Sequence, residues 1–239
     1  MNEPTQNDRL LRRFADVREM MRTLADEIVA RLQDDVAACG AASFVASGGT
    51  TPGPLYDLLS EREAPWDKIW ITLSDERWIA PNEDGSNEKL IRTRLLRGRA
   101  AAAHLVPMKT DDASPNGAEA KVNAALAAMP PPFTVTLLGM GDDGHTASLF
   151  PNAQGLKAAL DVNDPALARA VHAQDGAVTG ERVSLTLRAI LDSKLIVILI
   201  KGEAKLATYR DAISGTDIAA MPVRAVLQSQ TPVQVFWAP

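Results

Sequence analysis

From Asp8 to about Ala38 the apolar residues fall at positions 10, 14, 17, 21, 24, 28, 32 and 36. Steps of three and four describe one face of a helix. They predict a long amphipathic helix whose task is to cover a sheet. The pattern then changes to short, nearly continuous apolar runs: "SFVAS" (43–47), "KIWITLS" (68–74), "HLVPM" (104–108), "PPPFTVTLLGM" (130–140) and "KLIVILI" (194–200). Between them lie helical patterns. One opens after the glycine turn "GGTTPGPLYDLL", another is "NEKLIRTRLL" with Ser86 as its cap, and others are "NGAEAKVNAALAAM" (116–129) and "GEAKLATYRDAI". "RVSLTLRAILDS" (182–193) reads as a strand edge or a helix, and "RAVLQ" and "VQVFW" read as the final strands.

Continuous apolar strands alternating with helices predict a parallel sheet covered on both faces. The expected fold is therefore α/β: a single doubly wound, mostly parallel sheet flanked by helices. No linker divides the 239 residues, so one domain over 1–239 is expected, with room in the loop-rich middle for a lid or small subdomain.

Composition narrows the function classes. Hydrophobic residues make up 46% and charged residues 23%, ordinary for a globular protein. The net charge of −5 gives no electrostatic case for nucleic acid. The N-terminus is charged throughout, and no apolar run approaches the ~20 residues that span a bilayer. The single cysteine, Cys39, excludes an intrachain disulfide and fits a reducing cytoplasm. It reads as a small buried thiol near a helix end.

Four polar segments each follow a predicted strand: "SGGTTP", "SDERW", "GMGDDGH" and "KGEAK". A parallel sheet puts all four at the carboxyl ends of its strands, the edge where doubly wound sheets bind ligands. Gly48 and Gly49 let the backbone turn sharply and approach a ligand. Thr50 or Thr51 is a candidate helix cap, and free N–H groups at that helix start suit an anion. This turn has neither the Walker spacing nor the GxGxxG fingerprint. Asp75, Glu76 and Arg77 form a charge cluster flanked by Trp70 and Trp78. Arg77 is suited to clamp a phosphate or carboxylate, and Asp75 to position a hydroxyl or another side chain. Lys205, near a helix start, opposes the helix dipole unless an anion is bound.

Of three histidines, His145 lies in a glycine-rich loop between acidic residues and the next helix. It is the candidate general base or acid, with Asp143 holding its imidazole and Asp142 solvated or capping. His104 and His172 lie in strand-like surroundings and read as structural. No second histidine or cysteine stands at metal-ligand spacing from His145, and Ser148 has no G-x-S-x-G elbow, so neither a metal site nor a serine nucleophile is expected.

"SGGTTPGPLYDLL", "SDERWIAPNEDGSNEKLI", "LLGMGDDGHTASLFP" and "ERVSLTL" together, in this order over about residues 20–237, resemble the 6-phosphogluconolactonases. The resemblance implies a Rossmann-like fold similar to glucosamine-6-phosphate deaminase and hydrolysis of 6-phospho-D-glucono-1,5-lactone to 6-phosphogluconate, with no metal or organic cofactor. It implies catalysis by His145 and Asp143. It implies substrate binding by Gly48, Gly49, Thr50, Asp75, Arg77, Asn87 (in the "SN" after "SDERW"), Arg182 and Lys205. A phosphosugar lactone is the expected partner, and the chain is expected to act as a monomer or weak homo-oligomer in the cytoplasm.

The deaminases are the competing reading. Their histidine loop carries a glutamate five residues after the histidine, where this chain has Phe150, and a tyrosine where it has Arg77. The chain departs from the lactonase pattern in having Thr50 for the commoner serine and no prolines in "AQDGAVTGERVSLTL" near Arg182. A non-catalytic sugar-phosphate sensor is the third reading. Such regulators carry a basic DNA-binding segment, whereas the N-terminal arginines here are interleaved with Asp and Glu.

Overall fold

The structure, a computed structural model, describes residues 9–173 and 180–239. In chain order the elements are β1 (Leu11–Arg13), α1 (Val17–Cys39), β2 (Ala42–Ala46), α2 (Gly53–Glu61), β3 (Ile69–Leu73), β4 (Asp75–Arg77), α3 (Asn87–Arg94) and β5 (His104–Leu105). There follow α4 (Pro115–Ala127), β6 (Val135–Leu138), α5 (Leu156–Leu160), β7 (Ala168–Ala173), β8 (Gly180–Leu185) and α6 (Leu187–Leu191). The chain closes with β9 (Ile196–Lys201), α7 (Gly202–Ser214), α8 (Val223–Leu227) and β10 (Val233–Ala238).

Seven strands form a sheet in the order β1-β10-β9-β6-β2-β3-β5, and every pairing in it is parallel. Central strands β2 and β6 are buried along their whole lengths, as their continuous apolar sequence requires. From β2 the chain winds outward through β3 to β5, then returns to β6 and winds the other way through β9 to β10. The order therefore reverses between β2 and β6, and a crevice opens beyond their carboxyl ends. A second sheet, β4-β8-β7, is antiparallel and was not foreseen. It grows from "SDERW" itself: Asp75–Arg77 pair with β8, with Arg77 opposite Arg182.

Four expectations are corrected. The helical spacing does not begin at Asp8, which lies outside the described residues; Leu11–Arg13 instead run parallel to β10, and Phe14 stacks on Phe236 at 5.1 Å. The helix starts after Asp16, whose side chain accepts the Glu19 N–H at 2.8 Å, and it buries Met21, Leu24, Ile28, Leu32 and Val36 on one face. Cys39 is exposed, because it is the last residue of α1 before the left-handed cap Gly40. "RAVLQ" is helical: Pro222 supplies a helical φ of −58°, and Val223, Val226 and Leu227 are buried at helical spacing. Neither Thr50 nor Thr51 caps α2, which begins at Gly53 behind Pro52 with no side-chain cap. "RVSLTLRAILDS" is both of its alternatives: β8 ends at Leu185 and Thr186 caps α6 by accepting the Ala189 N–H at 3.2 Å.

Candidate active site

A cavity of about 340 Å³ lies at the carboxyl edge of β2, β6 and β9. Gly48, Gly49, Thr50, Asp75, Arg77, Asn87, His145, Arg182 and Lys205 all line it. Asp143 stands behind His145 and touches the cavity only through it. The segment before Arg182 that lacks the prolines of the lactonase pattern includes residues 174–179, which lie outside the described residues.

The glycine turn leaves β2 at Ser47, whose carbonyl accepts the hydroxyl of fully buried Tyr56 at 2.5 Å. Burial pushes the Tyr56 pKa up, so the phenol remains a donor and pins the start of the turn. Gly49 takes a left-handed φ of +86°. Gly48 is required by its neighbour, since a Cβ there would sit 2.0 Å from the Asn87 amide oxygen. Asn87 reaches across from the start of α3, and its amide donates to the Asp75 carbonyl at 2.8 Å. With no side chain capping α2, its first N–H groups face the turn as a site for negative charge.

Glu76, in the charge cluster flanked by Trp70 and Trp78, is fully buried. It accepts N–H groups from Arg77, Asn87 and Glu88 at 2.8, 2.9 and 2.7 Å and the Ser86 hydroxyl at 3.0 Å. Burial pushes its pKa up, and those four donors pull the other way. By holding the first turn of α3, Glu76 fixes Asn87 over the glycine turn. No periodicity signals this role; the capping Ser86, ten residues downstream, is its only trace in the sequence. Arg77 is tethered to the Gly85 carbonyl through Nη1.

Opposite the turn stands the histidine loop. Asp143 Oδ1 accepts both the His145 backbone N–H at 3.0 Å and the ring Nδ1 at 2.6 Å. A carboxylate accepts only, so Nδ1 carries the proton and Nε2 presents its lone pair. Burial opposes ionisation of Asp143, yet the hydrogen bonds and charge of His145 hold its pKa below the usual carboxylate value. Gly141 makes room for the imidazole: a Cβ would lie 2.0 Å from Nδ1. Asp142 caps nothing; it pairs with Lys205 at 2.8 Å across the cavity mouth.

The far wall is a buried polar group. Asp75, 7% exposed, accepts the Ser74 hydroxyl at 2.7 Å and the Ser148 hydroxyl at 2.6 Å, with Arg182 Nη1 3.8 Å from its Oδ2. Burial pushes the Arg182 pKa down and the Asp75 charge opposes that shift. The Arg182 guanidinium lies 5.3 Å from the Phe150 ring centre, and that ring packs on His145 at 4.2 Å between centroids. Phe150 therefore joins the arginine to the histidine. His104 and His172 sit on strands β5 and β7, outside the cavity lining. Among the described residues no three His, Cys, Asp or Glu are grouped so as to hold a metal ion.

The arrangement can seat an anion against the glycine turn and the cations Arg77 and Lys205, and can deprotonate a water at His145. The family described as glucosamine-6-phosphate isomerases/6-phosphogluconolactonase matches residues 15–237. A 6-phosphogluconolactonase from Caulobacter vibrioides is 41% identical over 233 residues, covering 95% of this chain and 97% of that protein. One from Rhizobium meliloti is 38% identical over 228 residues, with 95% and 97% covered. The crystal structure of a 6-phosphogluconolactonase from Shewanella baltica superposes with a TM-score of 0.93 at 40% identity, covering 96% of this chain and 97% of that one.

Proposed function

Since the chain belongs to the family of glucosamine-6-phosphate isomerases and 6-phosphogluconolactonases, we propose how its site carries out the hydrolysis of 6-phospho-D-glucono-1,5-lactone to 6-phospho-D-gluconate, a step of the oxidative pentose phosphate pathway. The chain is a lactone hydrolase, as its relatives are. The observation that carries the residue roles is the pairing of His145 with Asp143 directly across one cavity from an uncapped, glycine-lined helix start.

The 6-phosphate rests on the Gly48–Gly49–Thr50 backbone, with Arg77 and Lys205 supplying positive charge and Asn87 bracing the turn. Lys205 exchanges its Asp142 partner for the phosphate. The lactone ring extends toward His145. Nε2 takes a proton from a water whose oxygen attacks C1, and the carbonyl π electrons move onto oxygen. Arg182, held by Asp75 against Phe150, faces the reacting end and stabilises that oxyanion. The tetrahedral intermediate collapses, the bond from C1 to the ring oxygen breaks, and the imidazolium returns its proton to the departing oxygen. The product acid then ionises, so one lactone and one water give one gluconate and one proton. General base catalysis of this kind contributes about 10²–10⁴-fold. An oxyanion donor contributes roughly 3–4 kcal/mol. Phe150, where a deaminase carries its ring-opening glutamate, supports hydrolysis over deamination. The chain works as one α/β domain over 1–239, in the cytoplasm, as a monomer or weak homo-oligomer; among the described residues no helix is long and apolar enough to cross a membrane.

The test is a coupled assay. 6-Phosphogluconolactone is generated in place from glucose 6-phosphate by its dehydrogenase, and excess 6-phosphogluconate dehydrogenase reports the product as NADPH. The native protein accelerates hydrolysis over the spontaneous rate, and His145→Ala lowers kcat by about 10²–10⁴-fold with KM little changed. Native turnover in His145→Ala removes the histidine from the mechanism. No acceleration by the native protein rejects the reading, and ammonia release from glucosamine 6-phosphate is measured next.

A further inference from the structure

Ser148 is fully buried, three residues past His145 in the same loop, and its hydroxyl joins two groups from different elements. It donates to Asp75 Oδ2 at 2.6 Å and accepts from Arg182 Nη1 at 3.5 Å. Its own N–H donates to the Ser184 hydroxyl at 3.2 Å, which locks the loop onto β8, the strand that carries Arg182. Without Ser148 the carboxylate and the guanidinium face each other across 3.8 Å, a separation too long for a direct hydrogen bond. Among the described residues the buried Arg182 Nε has no hydrogen-bond partner, so beside Ser148 it is the Phe150 ring, 5.3 Å from the guanidinium, that orients it.

We infer that Ser148 is a positioning residue for hydrolysis: its hydroxyl sets Arg182 against Asp75 and ties that pair to the loop bearing His145, so that oxyanion donor and general base keep one mutual geometry. The serine touches no substrate and forms no covalent bond. It has one donor proton and spends it on Asp75, which leaves its lone pairs for Arg182. This arrangement places the carboxylate's charge and the arginine's direction under one hydroxyl. A misplacement of about 1 Å in such a pair costs about 10²-fold in rate.

The inference rests on the role given above to Arg182, and a double-mutant cycle separates the two. Ser148→Ala, Arg182→Met and the double variant are assayed in the coupled system alongside the native protein. Ser148→Ala is expected to lower kcat by about 10–10²-fold with KM changed less than about threefold. In the Arg182→Met background the same substitution is expected to lower kcat less than about threefold, because the group it positions is gone. Ser148→Thr, which keeps the hydroxyl, is expected to recover most of the loss. Native kcat in Ser148→Ala, with Arg182→Met impaired, overturns the inference alone. So does a Ser148→Ala loss that multiplies undiminished in the Arg182→Met background, which marks a general structural effect. Native kcat in Arg182→Met overturns the oxyanion role beneath it. Ser148→Cys keeps the side-chain volume; if it and Ser148→Ala both fail to fold, as read by circular dichroism, the residue is structural and the inference is rejected.

Discussion

In the proposed mechanism His145 Nε2 acts as a base only while Nδ1 keeps its proton, and the 2.6 Å contact with Asp143 favours that tautomer. Asp143→Asn replaces an acceptor with a group that can present its amide instead, which favours the wrong tautomer. We expect kcat to fall about 10²–10⁴-fold, as for comparable orienting carboxylates, with KM little changed. The His145 hydrogen bonds hold the Asp143 pKa below the usual value despite burial, so the carboxylate persists through the neutral range. The native-to-variant ratio in kcat is therefore expected to stay constant from about pH 8 to about pH 6. A ratio that collapses within that range, or native kcat in the variant, sinks the role. His145, Asp143 and the glycines were legible because each is odd in its place: a rare residue among glycines after an apolar strand. Glu76 and Ser148 were not, because what marks them is burial beside partners from distant segments.

Among the elements, α2 and α3 must stay in register for the glycine turn and Asn87 to meet. Asp57 on α2 joins Arg94 on α3 through Nη2 and through Nε at 3.0 Å, and Arg97 beyond it at 3.0 Å. The Arg94 hydrogen bond holds the Asp57 pKa low, with the charges of Arg94 and Arg97 adding to it and desolvation opposing. A lowered folded pKa means the unfolded chain binds protons first. The stabilisation is complete above the unfolded value, near pH 4, and is lost as pH falls through the folded value. Asp57→Asn should therefore lower the urea midpoint at pH 7, and the gap to the native protein should close below about pH 4. An equal gap at pH 7 and pH 3 would contradict this.

The same scale shows where patterns mislead. Leu10 and Phe14 fall on the helical spacing of α1, yet β10 recruits the segment between them as a strand, a partner that a local window cannot contain. "RAVLQ" has branched residues that suit a strand, but Pro222 and its buried Val223, Val226 and Leu227 make a helix. The antiparallel sheet β4-β8-β7 escaped because Asp75–Arg77 are polar and their partner lies about a hundred residues on.

For the molecule as a whole, the site rests on the interior of the sheet, where β9 runs between β6 and β10. Ile198 is fully buried there and pairs with Leu138 on one side and Val235 on the other. Ile198→Ala leaves a cavity and is expected to cost about 2–5 kcal/mol. For a chain of this size that is a fall of roughly 5–20 °C in Tm. Turnover per folded molecule should stay within about twofold of native, since the strand end and Lys205 are not moved. A Tm shift under about 2 °C would mean the core collapses onto the gap.

The innermost neighbour of β1 is β10, and their paired residues, Leu11 with Val235, stand more than two hundred positions apart. At ~5–20 residues per second a ribosome needs roughly ten seconds or more to cover that distance. Throughout that interval Leu11–Arg13 have no strand beside them, and β9, made only shortly before β10, has one flank open until β10 follows. Joining β1 to β9 therefore waits for β10, which lies between them in the sheet and follows both in the sequence. A long closure of this kind slows folding and leaves an edge for a chaperone to guard.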